Sequence, residues 1–188
     1  AVPVPNFDDA EFLTMITRKG RIKRIGVQNF ANVRPSGLRA LTLDDNDKLG
    51  WVKLTNGDQD LILISEQGKG IRFSEQDVRP MGRTAAGVNA MRLDSWDYIA
   101  GADVITPEDD LLVITEKGYG KRTALEEYRQ QNRYGQGVRA MVLDPKRTGK
   151  IVGARVVTSG DEVTCISSNG IILRTSSDFI SKQGRTTQ

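Results

Sequence analysis

Side chains suited to acid–base, nucleophilic or metal chemistry are nearly missing from these 188 residues, which hold no histidine and one cysteine, Cys165. A structural zinc site and an intramolecular disulfide therefore drop out. Cys165 lies in the apolar run Val163-Thr164-Cys165-Ile166 and reads as core filling. The carboxylate pairs Asp8-Asp9 and Asp109-Asp110 fall at matching loops, where solvated acids are the ordinary outcome, so general acid–base catalysis has no seat. Gly135-Gln136-Gly137-Val138-Arg139-Ala140 spells a dinucleotide fingerprint, but a strand rather than a helix is expected after it. Gly118-Tyr119-Gly120-Lys121-Arg122-Thr123 lacks the Gly-Lys-Ser/Thr core of a phosphate loop. What remains is the chemistry of fixed positive charge. Arg24, Arg72, Arg122 and Arg174 each stand four residues after a glycine. Guanidinium groups bind phosphate oxygens without a base-reading helix.

Those glycines, Gly20, Gly68, Gly118 and Gly170, recur at spacings of 48, 50 and 52 residues, each after an apolar stretch ending in Ser or Thr. A second landmark recurs every 50 residues: Gly37-Leu38-Arg39-Ala40, Gly87-Val88-Asn89-Ala90 and Gly137-Val138-Arg139-Ala140. Leu43-Asp44, Leu93-Asp94 and Leu143-Asp144 follow, and further apolar stretches end at Thr55, Thr106 and Thr158. Matched landmarks at one period mean a repeat architecture. Each unit reads as four short strands. An apolar strand meets a turn such as Arg18-Lys19-Gly20, and a return strand (Arg21 to Ile25, Lys69 to Phe73) alternates charged and apolar residues. A polar connection follows, with a short helical turn expected at Ala124 to Tyr128. A third strand should begin at the second landmark, and a fourth should end at the threonine. Four strands per unit is the arithmetic of a propeller blade, although neither the Trp-Asp dipeptide nor the double glycine of common propellers recurs. Trp51 and Trp96 sit at different phases and are expected to be packing residues. The units are expected at about 12–59, 60–109, 110–161 and 162–188, the last incomplete, within one all-β domain over 1–188. Residues 1–11 read as the tail of a preceding blade, so the parent chain is expected to continue at both ends.

The formal net charge is only +3, yet its placement follows the repeat. Residues 12–43 carry seven bases and no acid: Arg18, Lys19, Arg21, Lys23, Arg24, Arg34 and Arg39. The matching stretches 66–92, 116–142 and 163–188 are net +2, +3 and +2. Residues 44–60 and 93–115 are net −3 and −6, and 143–162 is +1. Units stacked about an axis would merge the basic halves into a curved positive band, which suits a polyanion whose path bends. A solvated charged face and a protein–protein scaffold are the competing readings. No apolar run is long enough to span a bilayer and no signal pattern opens the chain, so a reducing, cytoplasmic setting is expected.

Thr115-Glu116-Lys117-Gly118-Tyr119-Gly120-Lys121-Arg122-Thr123, Gly68-Lys69-Gly70-Ile71-Arg72-Phe73, Val78-Arg79-Pro80-Met81-Gly82 and Gly184-Arg185-Thr186-Thr187-Gln188 resemble the C-terminal repeats of the DNA gyrase A-subunit family. The corresponding A-type chain of topoisomerase IV is the runner-up. The resemblance covers essentially the whole chain. It implies a β-pinwheel, a propeller-like wheel of four-stranded blades that exchange strands with their neighbours, about four of them here. It also implies that double-stranded DNA wraps on a basic outer rim and that this serves negative supercoiling. The rim residues it points to are Arg21, Lys23, Arg24, Arg39, Lys69, Arg72, Arg83, Lys121, Arg122, Arg139, Arg174 and Arg185. No catalytic group and no cofactor are expected in this region. ATP and magnesium would sit elsewhere in a parent topoisomerase, an A2B2 heterotetramer with the gyrase B protein. The family's diagnostic box, Gln-Arg-Arg-Gly-Gly-Lys-Gly, is not in this chain, and Gln131-Asn132-Arg133-Tyr134-Gly135-Gln136-Gly137 is its nearest echo.

Overall fold

The structure, a computed structural model, describes residues 2–4, 11–33 and 35–188. Asp8, Asp9, Arg34 and most of the expected leading tail lie outside the described residues. Strands are numbered in chain order. The first sheet runs β3 (Leu49–Thr55), β1 (Phe12–Thr17), β2 (Arg21–Gly26), β6 (Val88–Asn89). The second runs β10 (Val138–Arg139), β5 (Lys69–Ser74), β4 (Asp60–Ser65), β7 (Ile99–Val104). The third is β11 (Ile151–Val157), β8 (Asp110–Thr115), β9 (Gly120–Ala124), and β12 (Glu162–Ile166) pairs with β13 (Ile172–Ser176). All pairings between strands are antiparallel. Short 3-10 turns follow the return strands, at Val27–Phe30, Glu75–Asp77, Leu125–Glu127 and Ser177–Phe179.

The order within each sheet shows the exchange. β6 belongs by sequence to the second unit but hydrogen-bonds to β2 of the first, and β10 of the third unit closes the second blade. Glycine is required where it crosses. A Cβ on Gly87 would lie 2.4 Å from the Ile22 carbonyl oxygen, and one on Gly137 would lie 2.5 Å from that of Gly70. Both glycines also take positive φ, +86° and +73°. The first copy of this landmark behaves differently: residues 38–44 form no strand.

The core lies between blades. β4 reads Leu61-Ile62-Leu63-Ile64, all buried, because its two faces serve two seams. Leu61 and Leu63 join Ile16, Ile22, Ile71 and Phe73 against the first blade. Ile62 and Ile64 join Leu111, Val113, Leu125 and Tyr128 against the third. A strand covered on both faces loses the polar alternation of a surface strand. Each such side chain contributes about 1.5–3 kcal/mol on burial. Trp51 packs against the first seam as expected, whereas Trp96 is 61% exposed in a loop. In the fourth blade Ile166, Ile171, Ile172 and Leu173 are exposed and Cys165 is half-buried.

β7 packs against both β3 and β11, so these strands lie on the hub side. The opposite, outer edge of each blade is lined by a segment of the next unit. Residues 78–90 run along β2, 128–140 along β5 and 180–188 along β9. Each is anchored alike: the amides of Met81, Gln131 and Gln183 donate to Arg24 O, Arg72 O and Arg122 O, all at 2.8 Å. Thr42 N–H donates to Ala85 O, Arg92 N–H to Gly135 O and Val142 N–H to Thr187 O, tying consecutive units together.

Candidate nucleic-acid interface

The twelve expected rim residues separate into three groups. Lys23, Arg24, Lys121 and Arg122 are not surface groups, which corrects their assignment as phosphate contacts. Lys23 and Lys121 are fully buried. Lys23 Nζ donates to Ala40 O (2.6 Å) and Arg83 O (2.5 Å). Lys121 Nζ donates to Gly184 O (2.8 Å), Arg185 O and Thr187 O (both 3.0 Å) and Thr187 Oγ1 (3.2 Å). The two lysines hold the edge segments from behind. Burial lowers the pKa of both, that of Lys121 to about 8. In the second blade Ile71 takes this position and is itself buried.

In the first three blades the arginine four residues after the turn glycine is an inter-blade clamp. Arg24 Nε donates to Val78 O (2.8 Å) and Arg122 Nε to Ile180 O (3.0 Å), each carbonyl belonging to the next unit. Arg24 also meets the buried Glu75 carboxylate at 3.2 Å and lies 4.5 Å from the centre of the Phe12 ring. Arg122 pairs with Asp110 at 3.1 Å and Arg72 with Asp60 at 2.8 Å, the first residues of β8 and β4. Arg174 pairs with Glu162, the first residue of β12. Arg21 and Lys69 are half-exposed and equivalent, and each meets the landmark aspartate, Asp44 at 2.7 Å and Asp94 at 3.3 Å. Three of the four strictly recurring arginines, Arg24, Arg72 and Arg122, are thus held by partly or fully buried acids, whereas Arg174 and Glu162 are exposed.

Arg39, Arg83, Arg139 and Arg185 make up the third group. Among the described residues none of them meets a carboxylate within salt-bridge distance. All four are on the edge segments or line a hollow with one: Arg39 and Arg83 share a hollow, and Arg185 Nη1 donates to Arg139 O (2.5 Å). Arg79, Arg129 and Arg133, absent from the expected set, belong with them. Arg79 and Arg129 are exposed one position before the bridge residues Pro80 and Gln130. Arg133 reaches Asn89 O just as Arg185 reaches Arg139 O. The repeat held the signal, since Arg83, Arg133 and Arg185 occupy one phase of it. The outer edges therefore carry a stepped ladder: Arg79 and Arg83, then Arg129, Arg133 and Arg139, then Arg185. Among the described residues, no three histidine, cysteine or carboxylate side chains converge to hold a metal ion, and no helix is long and apolar enough to cross a membrane.

The family model of the DNA gyrase C-terminal domain, described as a beta-propeller, matches residues 11–56, 59–106, 109–158 and 161–188. The chain belongs to this family. The gyrase A protein of Clostridium acetobutylicum is 47% identical over 184 residues, covering 98% of this chain and 22% of the relative. That of Mycobacterium tuberculosis (strain CDC 1551 / Oshkosh) is 39% identical over 189 residues, covering 100% and 22%. The chain thus spans about a fifth of the length of these curated relatives. Among solved structures, the crystal structure of the C-terminal domain of DNA topoisomerase IV superposes with a TM-score of 0.94 at 26% identity, over 100% of this chain and 58% of that one. The DNA gyrase A C-terminal domain superposes with a TM-score of 0.88 at 27% identity, over 98% and 61%. Both share the pinwheel architecture of the family.

Proposed function

We propose that the chain binds double-stranded DNA along the outer edge of the wheel, without sequence preference, and bends it around the blades. The observation that carries this reading is the ladder of arginines on the edge segments, whose guanidinium groups form no salt bridge among the described residues, while the clamps behind it are paired. Fixed cations on a curved edge neutralise phosphates and release counterions wherever the duplex lies, independent of base identity. Curving 20–30 bp by 40–90° costs about 1–6 kcal/mol, which repeated guanidinium–phosphate contacts along the arc offset. Belonging to the gyrase family supports placing this wrapping in an ATP-dependent type II topoisomerase. There it would set the handedness of the DNA crossing and serve negative supercoiling. On this reading the parent chain pairs with gyrase B as A2B2 in the cytoplasm, with ATP and magnesium bound elsewhere.

A nicked circular plasmid sealed by ligase in the presence of the chain tests wrapping. Bound chain should shift the topoisomer distribution in one direction, in proportion to protein added. A distribution identical to the protein-free control at saturating protein would refute the reading.

A further inference from the structure

We propose that Tyr134 inserts as a wedge that kinks the bound duplex at one seam of the wheel. The inference rests on the outer-edge reading above. Tyr134 is the only exposed aromatic residue in the three edge segments, and the equivalent positions hold Thr84 and Thr186. It lies one residue after Arg133 of the ladder and is 50% exposed. Its φ is +67°, the left-handed region that favours glycine, and neighbours fix it there. The Tyr134 N–H donates to Ala90 O at 2.8 Å, and the next carbonyl, Gly135 O, accepts from Arg92 N–H at 3.0 Å. Packing of the ring in the core does not offset this strain. The ring borders an open hollow of about 240 Å³ with Lys19, Asn89, Met91, Leu93 and the acids Asp94 and Asp97.

The position matters more than the strain. Residues 90–92, to which Tyr134 is tied, close the edge of the first blade, while Arg129, Arg133 and Arg139 belong to the edge of the second. A duplex following the ladder changes direction between these facets. An exposed ring held there next to Arg133 suits a partly opened base step, and wedges of this kind concentrate bending at one step. A rim of arginines alone would bend the duplex smoothly. The seam at Thr186 has no such ring, so the kink should be single.

A mismatch lowers the cost of opening a step, so it reports insertion directly. The chain is titrated with a ~30 bp duplex and with the same duplex carrying one central mismatch, lengths in the range a bent site occupies. Wild type should prefer the mismatched duplex by roughly tenfold. Tyr134→Thr and Tyr134→Gly should bind both alike and keep the salt dependence of wild type. Tyr134→Gly, whose residue suits the backbone, should melt no lower than wild type. Equal affinity of wild type for the two duplexes, or a preference kept by Tyr134→Thr, overturns the wedge while leaving the outer-edge reading standing. A wild type that binds neither duplex at low salt overturns both.

Discussion

The guanidinium groups of seven arginines on or beside the outer edge, Arg39, Arg79, Arg83, Arg129, Arg133, Arg139 and Arg185, form no salt bridge among the described residues. If each neutralises one phosphate, log K should fall against log salt with a slope of about −6, at about −0.9 per contact. Raising salt from about 50 to about 200 mM should then weaken binding by about four orders of magnitude. The perturbation that tests the ladder is the combined change Arg83→Gln, Arg133→Gln and Arg185→Gln, one residue per edge segment at a single repeat phase. The hydrogen bonds these side chains make go to carbonyl oxygens, so the fold should survive. The slope should become shallower by about 2.7, to about −3.6, with affinity for unrelated sequences reduced alike. The control is Arg155→Gln on β11. This residue is 71% exposed in its side chain, yet it lies on the hub strand beside Asp103. If only net charge mattered, Arg155 would count as much as any rim arginine. By position it should count for nothing, leaving the slope at wild-type value. Fluorescence anisotropy of a labelled duplex across a series of salt concentrations measures both. A triple variant that keeps the full slope, or an Arg155→Gln variant that loses about one unit of it, refutes the ladder.

The clamps should behave as structure. Glu75 is fully buried and accepts from Arg24 Nη1, Thr55 Oγ1 and the amides of Gly57 and Gln59. Glu75→Ala strands the buried guanidinium and should cost about 3–5 kcal/mol in urea unfolding, with the salt slope of DNA binding unchanged under folding conditions. Gly101→Ala would place a Cβ 2.5 Å from Ala154 O and 2.6 Å from Ala154 Cβ, where β7 and β11 meet, so a loss of about 1–3 kcal/mol or more is expected by thermal melting. Lys121 should show the linkage of a base whose pKa falls on folding, from 10.5 to about 8. Between these values the unfolded chain holds the proton and the folded chain has released it, so stability should rise with pH across that window. Urea midpoints taken near the lower and upper ends of that window check the sign, and Lys121→Met should abolish its share of the rise.

The fold was legible because its determinants are local and periodic. Turn glycines, apolar four-residue runs and the Gly-Val-x-Ala landmark each mark a backbone event, and backbone events repeat with the unit. The 3-10 turn at Leu125–Glu127 fell within the span expected to turn. Which sheet a two-residue strand joins is not local. Nothing in Val88-Asn89 states that it pairs with Ile22 and Arg21, far away in sequence, rather than within its own unit. That information lies in the closeness of Gly87 to the Ile22 carbonyl, which only the assembled seam displays. The first landmark, Gly37-Leu38-Arg39-Ala40, spells a matching pattern and forms no strand, so the letters alone are insufficient.

The charged residues carry a sharper lesson about recurrence. Strict repetition of a basic side chain arises from two different constraints that look identical in sequence. A residue that clamps one blade to the next is fixed by atomic geometry: Arg24, Arg72 and Arg122 each donate to a carbonyl of the next unit while facing an acid at close range. A residue that meets phosphates along a curved path is constrained only to stay on the edge and remain cationic, so its repetition is looser. Arg83, Arg133 and Arg185 are equivalent, Arg79 and Arg129 have Ser181 as their counterpart, and Arg39 and Arg139 bracket Asn89. Three of the four arginines that recur in every unit are therefore turned inward, while Arg174 is exposed, and the imperfect positions are mostly the outward ones. In a wheel built this way, the candidates for ligand contact are basic residues on the edge segments that lack a carboxylate within reach, whether or not they recur in every unit. Mean charge per unit finds neither property, because it counts Arg24 and Arg83 as equals when one is buried against Glu75 and the other is half-exposed on the edge.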